Sequence, residues 1–550
     1  MSYPKISLPQ MLEETAERFP RQTALIYFSN RISYTQLLDH VNRCAAGLQS
    51  LGVNPGDRVA LMLPNCPQFV IAYFGALRAG AIVTATSPIY TAREAGHQWH
   101  DAGVETVIVE RCLQRIVKKA RADLPALKNV IVTGLRDYYP KNFTKLCCSL
   151  GSKFKVQASK LKISPAHPAS RIPHQVSGIQ TRPWLDLLRV ARRPRLITIK
   201  PADVACLQYT GGTTGTSKGA MLTHANLVIN AGQSRNLLYS GADGTELMVA
   251  ALPLFHIYAM SCVMISSLMS GGAFILLPRF ELQTALNVIR KYHPTIFHGV
   301  PTMYVAFNNA PKVERYGFHS LRLCTSGGAP LPVEVRQKFE ALTGGRLVEG
   351  YGLTESSPVT HFNPPDGLPK VGSIGLPIPD TEARIVDVET GTREMPVGES
   401  GEILIRGPQV MKGYWNKPEE TALVLRDGWL YTGDIAKKDE DGYYYIVDRK
   451  KDLIIAGGFN IYPREVEEVL FEHPKIKEAV VVGVPDAYRG ETVKAFVVVH
   501  EGSTAKSEEI ISFCRERLAS YKVPRQVVFR DSLPKSGVGK YLRRELKNLA

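Results

Sequence analysis

The sequence predicts an α/β fold: a large N-terminal domain with a mostly parallel sheet arrangement and a small β-barrel, followed by a smaller α+β domain. Three observations support this prediction. The chain has 550 residues, which is too long for one ordinary hydrophobic core. Helical and strand patterns alternate over residues 1–130, and the pattern changes near residue 372 and again after about residue 448.

The N-terminal part alternates in the manner of βαβ units. Strand patterns over 58–63 and 81–85 flank a helical pattern over 68–79, and an earlier helical pattern covers 35–51. This alternation favours a mostly parallel sheet whose faces are covered by helices. The same rhythm continues to about residue 349.

Two changes of pattern mark the rest of the chain. From 372 to 431, short alternating runs lie between Gly and Pro turns, as in a small β-barrel or meander. After about residue 448 the runs suggest a compact α+β unit of about 100 residues. We therefore expect two domains, residues 1–450 and residues 451–550.

Composition restricts which binding partners and which cellular compartment we expect for the protein. Lysines and arginines number 67 against 51 aspartates and glutamates, and the net charge of +16 favours anionic partners. No Cys/His metal spacing or basic recognition helix points to nucleic acid. Nine scattered cysteines without a Cys-x-x-Cys pair indicate reduced thiols in a cytoplasmic protein. No signal peptide is expected, and the choice between monomer and homodimer stays open.

Two stretches bear on membrane contact. Residues 138–185 contain lysines and arginines but no acid. This insertion is either a solvated surface segment or a patch on the inner face of an anionic membrane, where each basic residue contributes roughly 1 kcal/mol. The uncharged stretch 247–278 is broken by prolines and glycines, so it predicts a buried core rather than a membrane span.

The most informative stretch is 209–220, which reads Tyr-Thr-Gly-Gly-Thr-Thr-Gly-Thr-Ser-Lys-Gly-Ala. Glycines let a backbone approach a ligand closely, and hydroxyls, backbone N–H groups and a lysine bind phosphate oxygens. A buried strand pattern precedes this loop and a helical pattern begins near Thr223, so we expect a phosphate at the N-terminus of that helix. The loop is not the common P-loop, because Lys218 follows a serine. A flexible surface turn is the alternative.

Two further motifs contain groups suited to a nucleotide. In 349–358, Tyr351 lies between glycines that leave its ring uncovered for a flat ligand, and Glu355 offers an oxygen of the kind that Mg²⁺ prefers. In 429–434, Asp434 follows Thr-Gly and can bind both hydroxyls of a ribose. An ordinary turn is the alternative for the first motif, and a turn or helix cap for the second.

The C-terminal part adds two candidates. Residues 448–460 combine a charged run with Gly457 and Gly458, and a solvated charged turn is the alternative. A glycine-containing loop within 533–544 presents Lys540, and a basic tail is the alternative.

The order of these motifs along one chain resembles the adenylate-forming superfamily of acyl-CoA ligases, luciferases and peptide-synthetase adenylation domains. The resemblance extends from about Leu8 to Arg544. Within the superfamily the sequence is most similar to bacterial long-chain fatty-acid–CoA ligases. Three stretches carry that finer match: 87–91 (Ser-Pro-Ile-Tyr-Thr), 253–256 (Pro-Leu-Phe-His) and 454–463 (Ile-Ile-Ala-Gly-Gly-Phe-Asn-Ile-Tyr-Pro).

The resemblance implies a nucleotide-binding role for each matching residue. The ATP triphosphate would be held by Thr210, Gly211, Gly212, Thr213, Thr214, Gly215, Thr216 and Lys218. The adenine would be bracketed by Gly327, Gly328, Ala329, Pro330 and Tyr351, and Gly352 would also contribute to the ATP site. Thr354 would contact the α-phosphate, and Glu355 would hold Mg²⁺. Asp434 and Arg449 would bind the ribose hydroxyls.

The resemblance also implies the groups that act on the acyl carboxylate and on coenzyme A. Lys540 matches the catalytic lysine, and His256 lies where the carboxylate and the incoming thiol meet. Lys451 matches the hinge between the domains, so the resemblance also implies a large N-terminal domain of two parallel-type α/β sheets plus a small β-barrel and a smaller, mobile C-terminal α+β domain. Gly457 and Gly458 match the loop that lines the pantetheine channel.

The implied reaction has two steps and needs ATP, Mg²⁺ and coenzyme A. The carboxylate of a fatty acid attacks the α-phosphorus of ATP, which gives acyl-AMP and pyrophosphate. The thiol of coenzyme A then displaces AMP and gives acyl-CoA. Two anions meet in the first step, so charge neutralisation dominates, and no protein nucleophile is required.

The sequence specifies the acyl group of the substrate less closely than it specifies the nucleotide and the reaction. An apolar pocket could be formed by Phe297, Val300, Pro301, Met303 and residues 257–260, although plain core is an equally good interpretation of each. The sequence departs from the family at Ser87 and Ala95, and Tyr258 and Met260 lie where some long-chain members have a gating Trp. A medium-chain or aryl (4-coumarate-like) CoA ligase and an acyl-AMP ligase serving a carrier protein are therefore alternatives. A catalytically silent protein on the same scaffold is the alternative from another class.

Overall fold

The computed structural model describes residues 3–140, 175–176, 179–189, 193–210, 217–238, 243–365, 367, 369–450, 452–456, 459–486, 490–535 and 541–549. Several predicted features therefore lie outside the described residues. They are most of the basic insertion, the loop residues Gly211, Gly212, Thr213, Thr214, Gly215 and Thr216, the hinge Lys451, the pair Gly457 and Gly458, and Lys540.

The strands follow one another along the chain with the bounds below. They are β1 Thr23–Tyr27, β2 Asn30–Ser33, β3 Arg58–Met62, β4 Ile82–Ala85, β5 Thr106–Glu110, β6 Asn129–Thr133, β7 Gln175–Val176, β8 Ile179–Pro183, β9 Val204–Thr210, β10 Lys218–Thr223, β11 Leu247–Ala250, β12 Ala273–Leu276, β13 Ile296–Gly299, β14 Leu323–Ser326, β15 Arg346–Gly352, β16 Val359–Phe362, β17 Leu376–Pro377, β18 Glu382–Val386, β19 Gly401–Arg406, β20 Leu425–Arg426, β21 Trp429–Lys438, β22 Tyr444–Arg449, β23 Ile454–Ala456, β24 Phe459–Ile461, β25 Ile476–Asp486, β26 Gly490–Val499 and β27 Gln526–Phe529.

The α-helices alternate with these strands over most of the chain. They are α1 Leu8–Arg18, α2 Tyr34–Ser50, α3 Pro67–Arg78, α4 Ala92–Ala102, α5 Gln114–Ala120, α6 Trp184–Leu188, α7 His224–Leu238, α8 Ile257–Ala259, α9 Ser266–Met269, α10 Leu282–Tyr292, α11 Pro301–Asn308, α12 Val333–Thr343, α13 Pro418–Val424, α14 Pro463–Phe471, α15 Ser507–Arg515 and α16 Arg543–Lys547. A π-helical segment, Met260–Ile265, joins α8 to α9.

Two sheets of the predicted parallel type form the N-terminal part. The first has the order β17-β16-β15-β14-β13-β11-β12-β1-β2, and the second has the order β10-β9-β4-β3-β5-β6-β8-β7. Neighbours run parallel from β15 to β1 in the first sheet and from β9 to β8 in the second. The side chains of α3 are buried from Pro67 to Leu77. A helix covered on all sides belongs to the interior of a layered α/β fold, so the predicted fold class is confirmed.

The amide of Asn65, which follows β3, connects these two sheets. Its Nδ2 donates to the carbonyls of Ala250 and Leu252 at 2.9 and 2.8 Å, and its Oδ1 accepts from the Leu254 N–H at 2.8 Å. Asn65 is buried, so these bonds are sheltered from water. They fix the chain that leaves β11, which leads directly to His256.

The remaining sheets are mainly antiparallel. One contains β18-β19-β21-β20 with β22 paired to β21, and this is the small β unit predicted between 372 and 431. The other contains β24-β23-β26-β25 with β27 beside β26, and it has its own buried clusters. Hydrogen bonds join β22, the last strand of the first of these sheets, to α14 of the C-terminal part. The Arg464 N–H donates to Asp448 Oδ2 at 2.8 Å, and the Arg464 guanidinium donates to the Ile446 carbonyl at 2.7 Å.

The prediction that the glycine loop leads directly into a helix is wrong because a strand lies between them. Lys218 begins β10, which pairs antiparallel with β9, and α7 starts only at His224. The loop therefore joins two strands of a hairpin rather than a strand and a helix. Because the helix begins six residues after Lys218, its N-terminus does not lie at the end of the loop.

The structure also tests the prediction that the uncharged stretch 247–278 is a buried core rather than a membrane span. The uncharged stretch 247–278 is divided among β11, α8, the π-helical segment, α9 and β12, and most of its side chains are buried. Among the described residues, no helix is both long enough and apolar enough to cross a bilayer.

Candidate active site

One cavity of about 2280 Å³ lies at the carboxyl ends of the parallel strands. Parallel α/β sheets bind ligands at this edge because the loops after successive strands converge there. The structure brings twelve predicted site residues to its wall: Lys218, His256, Gly327, Gly328, Ala329, Pro330, Tyr351, Gly352, Thr354, Glu355, Asp434 and Arg449. Thr210 ends β9 at the start of the glycine loop.

The side chains of Tyr351, Asp434 and Arg449 form a connected group on this wall. The Tyr351 hydroxyl donates to Asp434 Oδ2 at 2.6 Å, and the Arg449 Nε lies 3.4 Å from Asp434 Oδ1. Asp434 and Arg449 are register partners on β21 and β22, so the sheet itself holds them side by side. Burial, followed by the charge of Asp434, raises the pKa of Tyr351. The phenol therefore stays protonated and remains a hydrogen-bond donor.

A second group connects Glu355 with Lys218. The Tyr414 hydroxyl donates to Glu355 Oε1 at 2.8 Å, and the Lys218 ammonium lies 5.3 Å from the centre of the Tyr414 ring. Lys218 also forms an ion pair with Glu420 on α13. Two cavity residues that the resemblance assigns to phosphate and metal thus share one tyrosine as a neighbour.

Backbone hydrogen bonds place Tyr414 and Glu420 beside β10. The Met221 N–H donates to the Gly413 carbonyl and the Trp415 N–H donates to the Gly219 carbonyl, both at 2.8 Å. The Met411 N–H donates to the Glu355 carbonyl at the same distance. This docking brings the segment 411–421 against the Lys218 strand.

The end of β15, which carries Tyr351, is closely packed. A Cβ on Gly352 would lie 2.0 Å from the carbonyl oxygen of Pro358, so only glycine fits there. The preceding Glu349 accepts a hydrogen bond from the Leu331 N–H at 2.9 Å. Burial raises the pKa of Glu349 to about 7.

A third polar group lies where β13 and β14 end. The Tyr258 hydroxyl and Thr325 Oγ1 are 2.7 Å apart, and His298 Nδ1 is 2.8 Å from the same Oγ1. His256, which precedes Tyr258, caps α8 by accepting the Tyr258 N–H on its Nδ1 at 3.3 Å. His256 therefore lies two residues before a member of this polar group, and it lines the same cavity.

Family models match almost the whole chain. The model for AMP-binding enzyme matches residues 12–415, and the model for the AMP-binding enzyme C-terminal domain matches residues 465–540.

The chain belongs to the AMP-binding enzyme family.

Curated relatives agree with this assignment. A long-chain-fatty-acid–CoA ligase of Bacillus subtilis (strain 168) is 48% identical over 546 residues, covering 99% of this chain and 94% of the relative. A long-chain-fatty-acid–CoA ligase of Escherichia coli O6:H1 is 41% identical over 551 residues, covering 99% and 94%. A feruloyl-CoA synthase of an Amycolatopsis species is 35% identical, covering 97% and 96%.

Solved structures share the fold over the full length. ATP-bound MatB from Rhodopseudomonas palustris has a TM-score of 0.84 and 30% identity, covering 99% of both chains. The anthranilate CoA ligase AuaEII in complex with anthranoyl-AMP has a TM-score of 0.83 and 26% identity, covering 100% of this chain and 98% of that one. The family-level prediction made from the motifs is therefore confirmed.

The predicted acyl pocket is only partly present on the cavity wall of this AMP-binding enzyme. Val300, Pro301, Ile257 and Tyr258 line the cavity. Phe297 instead packs in the core, with its ring centre 6.0 Å from that of Tyr304 and 5.3 Å from that of Phe307. Met303 and Met260 are not among the residues that line the cavity.

Sequence reasoning missed Tyr414, Glu420, His298 and Thr325. The first two come from a segment whose contact with Lys218 depends on long-range backbone pairing, so no local signal indicates it. His298 and Thr325 could have been found from the two-residue repeat of a strand, since Phe297 and His298 must point to opposite faces.

Proposed function

We propose that this AMP-binding enzyme activates a long-chain fatty acid to acyl-AMP with release of pyrophosphate, and then transfers the acyl group to coenzyme A to give acyl-CoA and AMP. The observation that carries the proposal is the convergence of Lys218, Glu355 and the Tyr351–Asp434–Arg449 group on one cavity. Two relatives named long-chain-fatty-acid–CoA ligase at 48% and 41% identity support the choice of acid.

The nucleotide roles follow from charge and geometry. Lys218, together with the glycine loop from Thr210 to Thr216, would bind the triphosphate oxygens. Asp434 and Arg449 would bind the ribose hydroxyls, because a carboxylate and a guanidinium held side by side offer an acceptor and donors to a diol. The segment Gly327–Pro330 and Tyr351 would bracket the adenine, and Thr354 would contact the α-phosphate.

Glu355 fits the binding of Mg²⁺ together with ATP. Mg²⁺ is usually held by one or two carboxylates plus substrate phosphates rather than by an all-protein cage. Among the described residues, no cluster of three or more His, Cys, Asp and Glu side chains could hold a metal ion. When bound, the ion would neutralise charge on the phosphates.

Lys540 would stabilise the charge that develops in the first step. The described residues on either side of its loop, Lys535 and Tyr541, line the same cavity and form a β-bridge with each other. We propose that the C-terminal domain turns about Lys451, so that Lys540 serves adenylation and Gly457 and Gly458 line the thiol channel in the second step. His256 would lie where the carboxylate and the thiol meet.

The basic insertion would bring the enzyme to an anionic membrane surface. Residues 138–185 hold cations without acids, which favours contact with anionic lipid headgroups from the cytoplasmic side. Co-sedimentation with phosphatidylglycerol vesicles should fall with added salt and with neutralisation of the lysines. Vesicle binding that is unaffected by added salt and by neutralisation of the lysines would contradict this part of the proposal.

One experiment tests the proposed reaction and its alternatives. ATP–pyrophosphate exchange is measured with saturated acids from C2 to C18 and with aryl acids, and the same acids are then given coenzyme A. The proposal predicts exchange that rises with long-chain acids, followed by formation of AMP and acyl-CoA. An optimum for medium-chain or aryl acids, or adenylation without transfer to coenzyme A, would support the alternatives instead.

A further inference from the structure

His298 is a buried polar side chain on the wall of the cavity. It lies on β13, it lines the cavity wall, and its exposed fraction is 1%. Its register partner on β14 is Thr325. Phe297, the residue before it, points to the opposite face of the sheet and packs in the aromatic core. The sheet therefore directs the imidazole toward the cavity.

Only one of the two ring nitrogens of His298 is satisfied. Nδ1 is 2.8 Å from Thr325 Oγ1, and that oxygen is 2.7 Å from the Tyr258 hydroxyl. Within the part of the chain that the structure describes, His298 Nε2 has no hydrogen-bond partner although it is buried. Native proteins satisfy most buried polar atoms, since an unpaired one costs free energy. A ligand atom is one way to satisfy it.

The surroundings limit what such a ligand atom can be. Burial lowers the pKa of His298 to about 4, so the ring is neutral near pH 7 and does not attract an anion by charge. In a neutral imidazole one nitrogen donates and the other accepts, and the hydrogen of Thr325 decides which. A hydroxyl group can pair with Nε2 in both cases, because it both donates and accepts.

The neighbouring wall suits the body of an acyl group. Cys262 and Leu237 line the same cavity as Val300 and Pro301. Apolar walls with few placed polar atoms are the usual make-up of a small-molecule pocket, in which the polar atoms fix the specificity.

We propose that His298 is a specificity-determining residue whose Nε2 recognises a hydroxyl group on the acyl part of the acid, so that this enzyme prefers hydroxylated acids to their unsubstituted counterparts. This inference rests on the proposed function, since it requires the acid to occupy the cavity beside β13 and β14. The hydroxyl can be carried by an aliphatic chain or by an aromatic ring, and the experiment separates the two.

The first test uses the unaltered enzyme and matched pairs of acids. ATP–pyrophosphate exchange gives kcat/KM for hexadecanoate against its monohydroxy derivatives along the chain, and for cinnamate against 4-hydroxycinnamate. We expect a preference of about tenfold for the hydroxylated member of at least one pair, the scale of one buried hydrogen bond. If every unsubstituted acid equals or exceeds its hydroxylated partner, the inference is overturned.

The second test uses two variants of His298 that differ in which nitrogen they replace. His298→Asn can keep the contact with Thr325 but has no atom at the Nε2 position, whereas His298→Gln can reach that position. The preference should disappear in His298→Asn and persist in His298→Gln, with similar melting temperatures. An unchanged preference in His298→Asn overturns the inference.

The results of these tests distinguish a wrong reaction from a wrong role of His298. If only the aryl acids support exchange, the proposed long-chain substrate is wrong, and the cinnamate pair alone tests the role of His298. If no acid of any pair supports exchange, the proposed function is wrong and the inference falls with it. If exchange is strong but shows no hydroxyl preference, only the role of His298 is wrong.

Discussion

The Tyr414 hydroxyl donates a 2.8 Å hydrogen bond to Glu355 Oε1, while the face of the same ring lies 5.3 Å from the Lys218 ammonium. The ring thus touches the residue proposed to hold Mg²⁺ and the residue proposed to hold the triphosphate. It fixes the carboxylate through a hydrogen bond and attracts the cation through its π face.

Removal of the Tyr414 hydroxyl should weaken the binding of Mg²⁺ without abolishing the site. We expect Tyr414→Phe to raise the Mg²⁺ concentration needed for half-maximal ATP–pyrophosphate exchange by about tenfold, since a hydrogen bond to a charged group contributes about 1.5–3 kcal/mol. Tyr445→Phe is the control, because its hydroxyl pairs with Asp439 at 3.0 Å rather than with Glu355. Equal effects of the two substitutions would show that the Tyr414 bond has no specific role.

The ion pair between Lys218 and Glu420 should compete with ATP for the lysine. Both side chains are partly exposed, at 23% and 34%, and such pairs contribute only about 0–1 kcal/mol. We therefore expect Glu420→Gln to lower the KM for ATP by a fewfold, and added salt to shrink the difference from the unaltered enzyme. Glu419→Gln on the same helix should leave the KM unchanged. A higher KM in Glu420→Gln would mean that Glu420 positions Lys218 for ATP.

The loop lysine should serve the first step more than the second. Lys540→Ala is expected to slow adenylation by at least ~10²-fold, the usual scale for a lost electrostatic stabiliser, while thioester formation from supplied acyl-AMP survives better. Lys535→Ala is the comparison, since Lys535 is already paired with Glu478 at 2.7 Å. Equal losses in both half-reactions of Lys540→Ala would argue against its assignment.

Glu349 should make the stability of the fold depend on pH. Burial raises its pKa from 4.5 in the unfolded chain to about 7, so between these values the folded state binds more protons than the unfolded state. The free energy of unfolding contributed by this group therefore falls as the pH rises from about 4.5 to about 7. Denaturant titrations should show a shallower fall in this range for Glu349→Gln. Identical pH profiles would contradict the raised pKa.

The sequence predicted correctly those features that depend on residues close together in the chain. The alternation of patterns predicted the parallel sheets, and the short motifs around Tyr351, Glu355 and Asp434 marked residues that the structure places on one cavity. The order of the motifs was specific enough to predict the family, because each motif restricts backbone and chemistry together.

The sequence was a poor guide where long-range packing decides. The glycine loop leads into β10 rather than a helix because residues 218–223 gain a strand partner in β9. Phe297 was grouped with pocket candidates although its strand position turns it to the core, and that same position turns His298 to the cavity. Glu420 reaches Lys218 only because segment 411–421 docks on β10 through backbone bonds.

We propose above all that a fatty acid is joined to the α-phosphorus of ATP in this cavity. The most direct test is hexadecanoate-dependent ATP–pyrophosphate exchange in the absence of coenzyme A, followed by addition of coenzyme A. We expect exchange that requires the acid and Mg²⁺, then conversion to hexadecanoyl-CoA with one AMP formed per thioester. Exchange no higher than without acid across the whole acid panel, or release of ADP and phosphate instead of AMP and pyrophosphate, would contradict it.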